Sequence, residues 1–205
     1  MSSDALVRVT TQTQTQHQTG SAPRNRRQEE TFRKVLAAGL ETLRENSYAD
    51  LTVRAVAARA KVAPATAYTY FSSKNHLIAE VYLDLVQQVP YFTDVNEPMP
   101  TRVDKALRHL ALVVADEPEV AAACTTALLG GGGDPAVRAV RDRIGAEVHR
   151  RITSAIGPHA EPRIVSVLEM AFFGALVNAA SGAYTYRQIA DHLAYAVGLI
   201  VKTED

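Results

Sequence analysis

Between Thr52 and Leu77 the chain reads TVRAVAARAKVAPATAYTYFSSKNHL, and this stretch limits the fold more than any other. Val53, Val56, Ala57 and Ala60 recur at three and four, which places them on one stripe of a short helix. Pro64 suits the first position of a second helix, where its missing N–H costs nothing. That helix closes on an aromatic cluster of Tyr68, Tyr70 and Phe71, and Ser72 or Ser73 can cap a third helix from Lys74. Two short helices, a tight connection and an aromatic plug make a helix-turn-helix, in which the second helix matters for the face it presents.

The flanking sequence extends the same periodicity. From 26 to 45, Phe32, Val35, Leu36, Gly39, Leu40 and Leu43 form one apolar face of a first helix, broken by Asn46 and Ser47. Tyr48 and Leu51 plug the next turn, and the Thr52 hydroxyl can cap the helix that follows. After Lys74, Leu77, Ile78, Val81, Tyr82, Leu85 and Val89 make a long stripe that Pro90 ends. Three prolines between 90 and 100 mark a linker. Beyond it, helices are expected at 101–116, 118–129, 134–156, 161–181 and 185–202, divided by Glu117-Pro118, a glycine run at 130–133, Gly157-Pro158 and Gly182. The expected fold is all-α with about nine helices. Residues 1–22, with the run TQTQTQHQTG, read as a disordered leader; 23–89 as a three-helix head plus its connecting helix; and 101–205 as a separate helical body.

Net charge is zero but unevenly spread. Residues 21–80 hold ten Lys or Arg against six Asp or Glu, and residues 81–205 hold eleven against fifteen. A mildly basic head on a mildly acidic body suits duplex DNA as the partner. The single cysteine, Cys124, excludes an intramolecular disulfide and fits a reducing, cytoplasmic setting. No run of about 18 consecutive apolar residues occurs and no signal peptide is legible, so no membrane partner is expected. The histidines form no HxxxH or HExxH pair, GGGGDP lacks the Lys-Ser/Thr of a phosphate loop, and GxSxG is absent. These absences argue against an enzyme, a metal site and a cofactor.

In the second short helix, Pro64 to Phe71, the residues expected to face outward are Ala65, Thr66, Thr69 and Tyr70, with Ala67, Tyr68 and Phe71 packing inward. Small side chains let a helix sit deep in the major groove, and a threonine can bond a base edge or phosphate and offer its methyl to thymine. With no Arg, Lys, Asn or Gln between Pro64 and Phe71, phosphate contacts fall to Arg54, Lys61 and Lys74, with Thr52 at a helix start. Arg24, Arg26 and Arg27 form a basic arm ahead of the first helix. The last two helices are the most apolar, and small residues there permit close approach. They are the expected homodimer face, with Met170, Gly174, Ala175, Val177, Tyr195 and Leu199 as candidates.

Thr52, Val56-Ala57, Ala60-Lys61-Val62, Tyr68-Thr69-Tyr70-Phe71 and Lys74-Asn75-His76-Leu77 together resemble the DNA-binding domain of the TetR family of bacterial transcriptional regulators. The likeness spans about residues 26–85; Ala63, Ala65 and Ala67 depart from the serine, glycine and leucine common there. The resemblance implies a dimeric repressor on a pseudo-palindromic operator, released when an apolar small molecule enters the body. Candidate lining residues are Tyr91, Phe92, His109, Leu112, Cys124, Leu128, Phe172, Phe173 and Asn178. A constitutive repressor or an activator whose body only dimerises would carry the same head, and a protein-binding helical module is the other reading.

Overall fold

Helix α1 (Arg26–Glu45) buries Phe32, Val35, Leu36, Gly39 and Leu43 on one face, as its spacing predicts. A Cβ at Gly39 in mid-helix would lie 3.2 Å from Val81 Cγ2, so the glycine lets α1 approach the fourth helix closely without displacing that side chain. The computed structural model describes residues 26–130 and 133–201, and among them are nine α-helices and no strand. The leader at 1–22 and Arg24 lie outside the described residues.

Helices α2 (Val53–Arg59) and α3 (Pro64–Tyr70) follow as a turn-linked pair. Thr52 Oγ1 accepts from the Ala55 backbone N–H at 3.1 Å and caps α2. At its other end, Lys61 N donates to Ala58 O at 3.1 Å and Val62 N to Ala57 O at 2.9 Å. This reciprocal closure normally places glycine in the left-handed position. Here Lys61 occupies it, with φ of 55°. Lys61→Gly is therefore expected to stabilise the chain by up to about 1 kcal/mol, the lost left-handed strain being partly offset by glycine's larger unfolded-state entropy. Urea unfolding of the two proteins checks the sign.

Helix α4 (Lys74–Gln88) is capped by Ser73, whose Oγ accepts from His76 N at 3.0 Å. Every residue from Leu77 to Leu83 is buried, because α1 covers one side of α4 and the body helices the other. Helices α5 (Met99–Ala111), α6 (Pro118–Gly130), α7 (Pro135–Ile156), α8 (Pro162–Ala180) and α9 (Tyr186–Ile200) complete the body. α4 packs on α6 and α7, α5 on α7 and α9, and α8 on α9. Pro64, Pro118, Pro135 and Pro162 each open a helix, where an absent N–H is harmless.

One expected helix is corrected. α5 starts at Met99 and stops at Ala111 instead of running 101–116. Pro100 is accommodated in the first turn, and after Leu112 the chain closes tighter turns, Ala115 N to Leu112 O and Glu117 N to Val114 O, before Pro118. Arg102 then seals the end of α7, its guanidinium donating to Ala155 O at 2.9 Å and Ile156 O at 3.2 Å.

α8 is the one helix among the described residues long and apolar enough to cross a membrane, with a mean hydropathy of 1.5. No long apolar run produces this value, because Arg163, Ser166, Glu169 and Asn178 interrupt it. Val165, Leu168 and Phe172 face the core, while Val167, Met170 and Val177 are exposed on another side of the helix. Tyr195 and Leu199 of α9 add to this uncovered apolar surface.

Candidate functional site

The head is held by one aromatic stack. Phe32 of α1 lies nearly parallel to Phe71 with ring centroids 5.1 Å apart, and His76 meets Phe71 edge-on at 5.9 Å. Ala67 and Phe71, one turn apart, are fully buried and fix the rotation of α3. Pro64, Ala65, Thr66 and Thr69 are consequently exposed. Thr69 Oγ1 donates back to Thr66 O at 2.7 Å, so its hydroxyl proton is already engaged within the helix.

The two tyrosines exchange their expected places. Tyr68, expected inside, is 53% exposed. Tyr70, expected outside, is half-buried and meets Phe32 edge-on at 6.0 Å. The helical advance of roughly 100° per residue explains both: Tyr70 lies beside the Ala67–Phe71 edge and toward α1, whereas Tyr68 lies on the open flank. The exposed face of α3 thus has a large aromatic side chain on one side of its small residues.

The basic candidates surround this face unevenly. Arg54 and Lys61 are exposed, as are Arg26 and Arg27; Arg26 pairs with Glu30 at 3.4 Å. Lys74 is more occupied than its sequence suggests. Its Nζ donates to Tyr48 O at 3.0 Å and sits 4.1 Å from the Tyr48 ring centroid. Tyr48 OH in turn donates to Asn75 Oδ1 at 2.6 Å, so these three residues brace the start of α4.

Polar contacts tie the head and its connecting helix to the body. Arg44 donates to both carboxylate oxygens of Glu117, at 2.5 and 2.9 Å. Ser73, the cap of α4, donates to Asp134 Oδ2 at 2.9 Å, and Asp134 Oδ1 caps α7 by accepting from Ala136 N at 2.9 Å. The Ser73 bond comes first among the causes that hold the Asp134 carboxyl below its usual range. Close by, the buried Glu80 accepts from Arg143 Nη1 at 2.5 Å.

Within the body a cavity of about 290 Å³ opens between α4, α6, α7, α8 and the start of α9. Its walls are Tyr82 from α4; Ala121, Cys124, Thr125, Leu128 and Leu129 from α6; Arg141 and Ile144 from α7; Phe173, Leu176, Val177 and Ala180 from α8; and Tyr186, with Val114 below. A more open and more polar hollow between α6 and the α8–α9 connection shares Ala121, Thr125, Ala180 and Tyr186 with it.

Of the expected lining residues, Cys124, Leu128 and Phe173 meet at this cavity. The others are placed elsewhere. Phe172 is core, Leu112 ends α5, and Asn178 is exposed with Nδ2 donating to Gly174 O at 2.8 Å. Phe92 and His109 pair with each other, ring centroids 4.7 Å apart, and Tyr91 lies under the Arg151 guanidinium at 4.7 Å. On the proposed dimer face, Met170, Gly174, Tyr195 and Leu199 are exposed and Ala175 is half-buried, while Val177 also borders the cavity. Tyr82, Thr125, Arg141 and Tyr186 were missing from the sequence-based set. Arg141 had a legible signal, since it sits four residues after Val137 and three before Ile144, on the apolar stripe of α7.

Fold and site together define a helix-turn-helix DNA-binding regulator: a small head with an open second helix, carried on a helical body. The family model for bacterial regulatory proteins of the tetR family matches residues 35–81. The chain is 75% identical to the HTH-type transcriptional regulator Rv0767c of Mycobacterium tuberculosis, over 98% of this chain and 94% of the relative. It is equally similar to Mb0790c of Mycobacterium bovis. The chain belongs to the TetR family of transcriptional regulators. A TetR regulator from Rhodococcus sp. RHA1 shares the fold, with a TM-score of 0.73 at 20% identity over 87% of this chain and 99% of that one. The fatty acid regulator FadR of Bacillus subtilis, solved with stearoyl-CoA, aligns with a TM-score of 0.55 at 14% identity, covering 81% of this chain and 97% of its own.

Proposed function

We infer that this regulator is a cytoplasmic, ligand-responsive repressor, acting without catalysis, that binds a pseudo-palindromic operator as a homodimer and leaves it when a small molecule enters the body. The carrying observation is α4. It packs against α1 of the head through Leu77 and Val81, and one residue later Tyr82 forms part of the cavity wall. Head and cavity thus share one buried helix, and an occupant that displaces Tyr82 acts on the element that seats the head. A differential affinity of this kind is reciprocal, so DNA must weaken the occupant as much as the occupant weakens DNA. The apolar surface of α8 and α9 supports assembly with a second copy, and a two-fold dimer gives the head a second half-site.

In this reading the exposed face of α3 enters the major groove with Ala65, Thr66 and Thr69, flanked by Tyr68. Arg54, Lys61, Thr52 and the Arg26–Arg27 start of α1 meet phosphates, and Lys74 holds Tyr48 more than it holds DNA. The test uses a duplex selected from a random pool by the full-length protein, with binding followed by fluorescence anisotropy. Two protomers should bind per duplex. Thr66→Ala should cost about 1–2 kcal/mol on the selected sequence and little on unrelated DNA. Arg54→Ala should weaken both equally and lower the salt slope by about 1. Unchanged binding by both variants would overturn the contact assignment.

A further inference from the structure

The apolar stripe of α7 carries three charged residues, Arg141, Glu147 and Arg151. Two neutralise each other: Arg151 donates to Glu147 Oε2 at 2.5 Å, deep between α4 and α7. Arg141 has no such partner among the described residues. No carboxylate forms an ion pair with it, and its Nε is buried without a hydrogen-bond acceptor. Its surroundings in the cavity are otherwise uncharged and mostly apolar.

The remaining polar groups of the cavity carry no charge at neutral pH. Burial pushes the Cys124 thiol up to about 12, and it likewise raises the Tyr82 hydroxyl well above its ordinary value. Burial also raises Tyr186, whose hydroxyl is hydrogen-bonded to Thr125. The cavity therefore contains one permanent positive charge, several neutral hydroxyl groups and a greasy wall. Arg141 is half-buried, its buried Nε without an acceptor carries a cost, and an anionic group that pairs with the guanidinium recovers that cost and adds a charge-assisted hydrogen bond.

We propose that the cavity binds a small amphipathic acid, with its carboxylate on Arg141 and its hydrocarbon body against Leu128, Ile144, Phe173 and Leu176. This rests on the reading of the cavity as the effector site and names the chemistry of the effector. A volume of about 290 Å³ lies at the lower end for ligand cavities, which favours a single medium-length chain or one ring system over a large conjugate. Phe173 and Val177 lie on the exposed side of α8, and Leu129 is exposed at the end of α6, so the entrance runs between these two helices. A neutral ligand of the same shape would leave Arg141 unpaired. A cationic one would be repelled.

Isothermal titration calorimetry with hexanoate, octanoate, decanoate and dodecanoate, each against its matching alcohol, tests the assignment on the full-length protein. At least one acid should bind about tenfold or more tightly than its alcohol. Arg141→Met, close in volume, should erase the difference while keeping alcohol binding, and Arg141→Lys should keep part of it. Thermal melting of each variant establishes that it is folded. Equal affinity for acid and alcohol, an unaltered preference in Arg141→Met, or no binding of any acid would overturn the proposal. The same acid is then added to the protein–duplex complex. If it binds through Arg141 yet leaves DNA affinity unchanged, the site stands and the effector-release reading falls.

Discussion

Arg151→Met is expected to destabilise the protein by about 3–5 kcal/mol, although Arg151 lies neither on α3 nor in the cavity wall. Its side chain is 2% exposed and its hydrogen bonds converge from three directions. Besides Glu147, Nε donates to Val89 O at 3.1 Å and Nη2 to Gln87 O at 2.9 Å, closing the last turn of α4. The variant leaves Glu147 buried without its main partner, and removing one member of a buried pair costs far more than replacing both. Arg151→Met with Glu147→Leu should therefore regain most of the loss, and urea unfolding of the four proteins of the cycle measures it.

The cost should also depend on pH in a definite direction. Burial favours protonation of Glu147, but hydrogen bonds from Arg151, Arg150 and Gln87 outweigh it and hold the carboxyl below its usual range. A carboxyl depressed in the folded state contributes its stability above the unfolded value, about 4.3, and loses it as pH falls through the folded value. The gap between wild type and Arg151→Met should accordingly be full at neutral pH and shrink once the medium is more acidic than about pH 4. A gap that stays constant down to acid unfolding would mean the cost arises from packing alone.

Phe71→Ala is expected to cost about 3–5 kcal/mol as well, through a cavity at the centre of the head. The ring is fully buried, stacked on Phe32 and met edge-on by His76, and it joins the end of α3 to the start of α4. Against a typical total stability of about 5–15 kcal/mol, such a loss removes a large share of what holds α3 in place. Duplex binding should fall with it. Phe71→Leu, which keeps most of the volume, should cost about 1.5 kcal/mol or less and retain DNA binding. The comparison separates an architectural role for Phe71 from a contact role, since neither variant alters an exposed atom of α3.

Much of this architecture was legible because proline and apolar spacing act locally. Four helices begin at a proline, and the stripes of α1, α2 and α4 follow the heptad-like rhythm that buries them. The orientation of Tyr68 and Tyr70 was less legible. In a seven-residue helix with alanine at both 65 and 67, apolar contrast cannot decide which flank faces in; the position of Phe32 on α1 does. The cavity was harder still, because five helices contribute to it and their mutual rotations are long-range properties. Tyr91, Phe92 and His109 have the composition of a ligand site, but their partners, Arg151 in one case and each other in the second, come from packing that spacing does not record.

The bond between Ser73 and Asp134 has a mechanical consequence. Each residue caps its own helix, so α4 and α7 begin at one pinned point, while Arg143 on Glu80 and Arg151 on Gln87 and Val89 hold the two helices together further along. Tyr82 stands nine positions along α4, about 13 Å from that point. An occupant that pushed Tyr82 would therefore act on a helix held at its start, middle and end, which responds as one body together with α7. Leu77 and Val81, which carry α1 through the close approach at Gly39, lie on that same stretch. Ser73→Ala would free the start of α4 while its middle and end stay fastened to α7, so the same push would bend the seat of the head instead of carrying it.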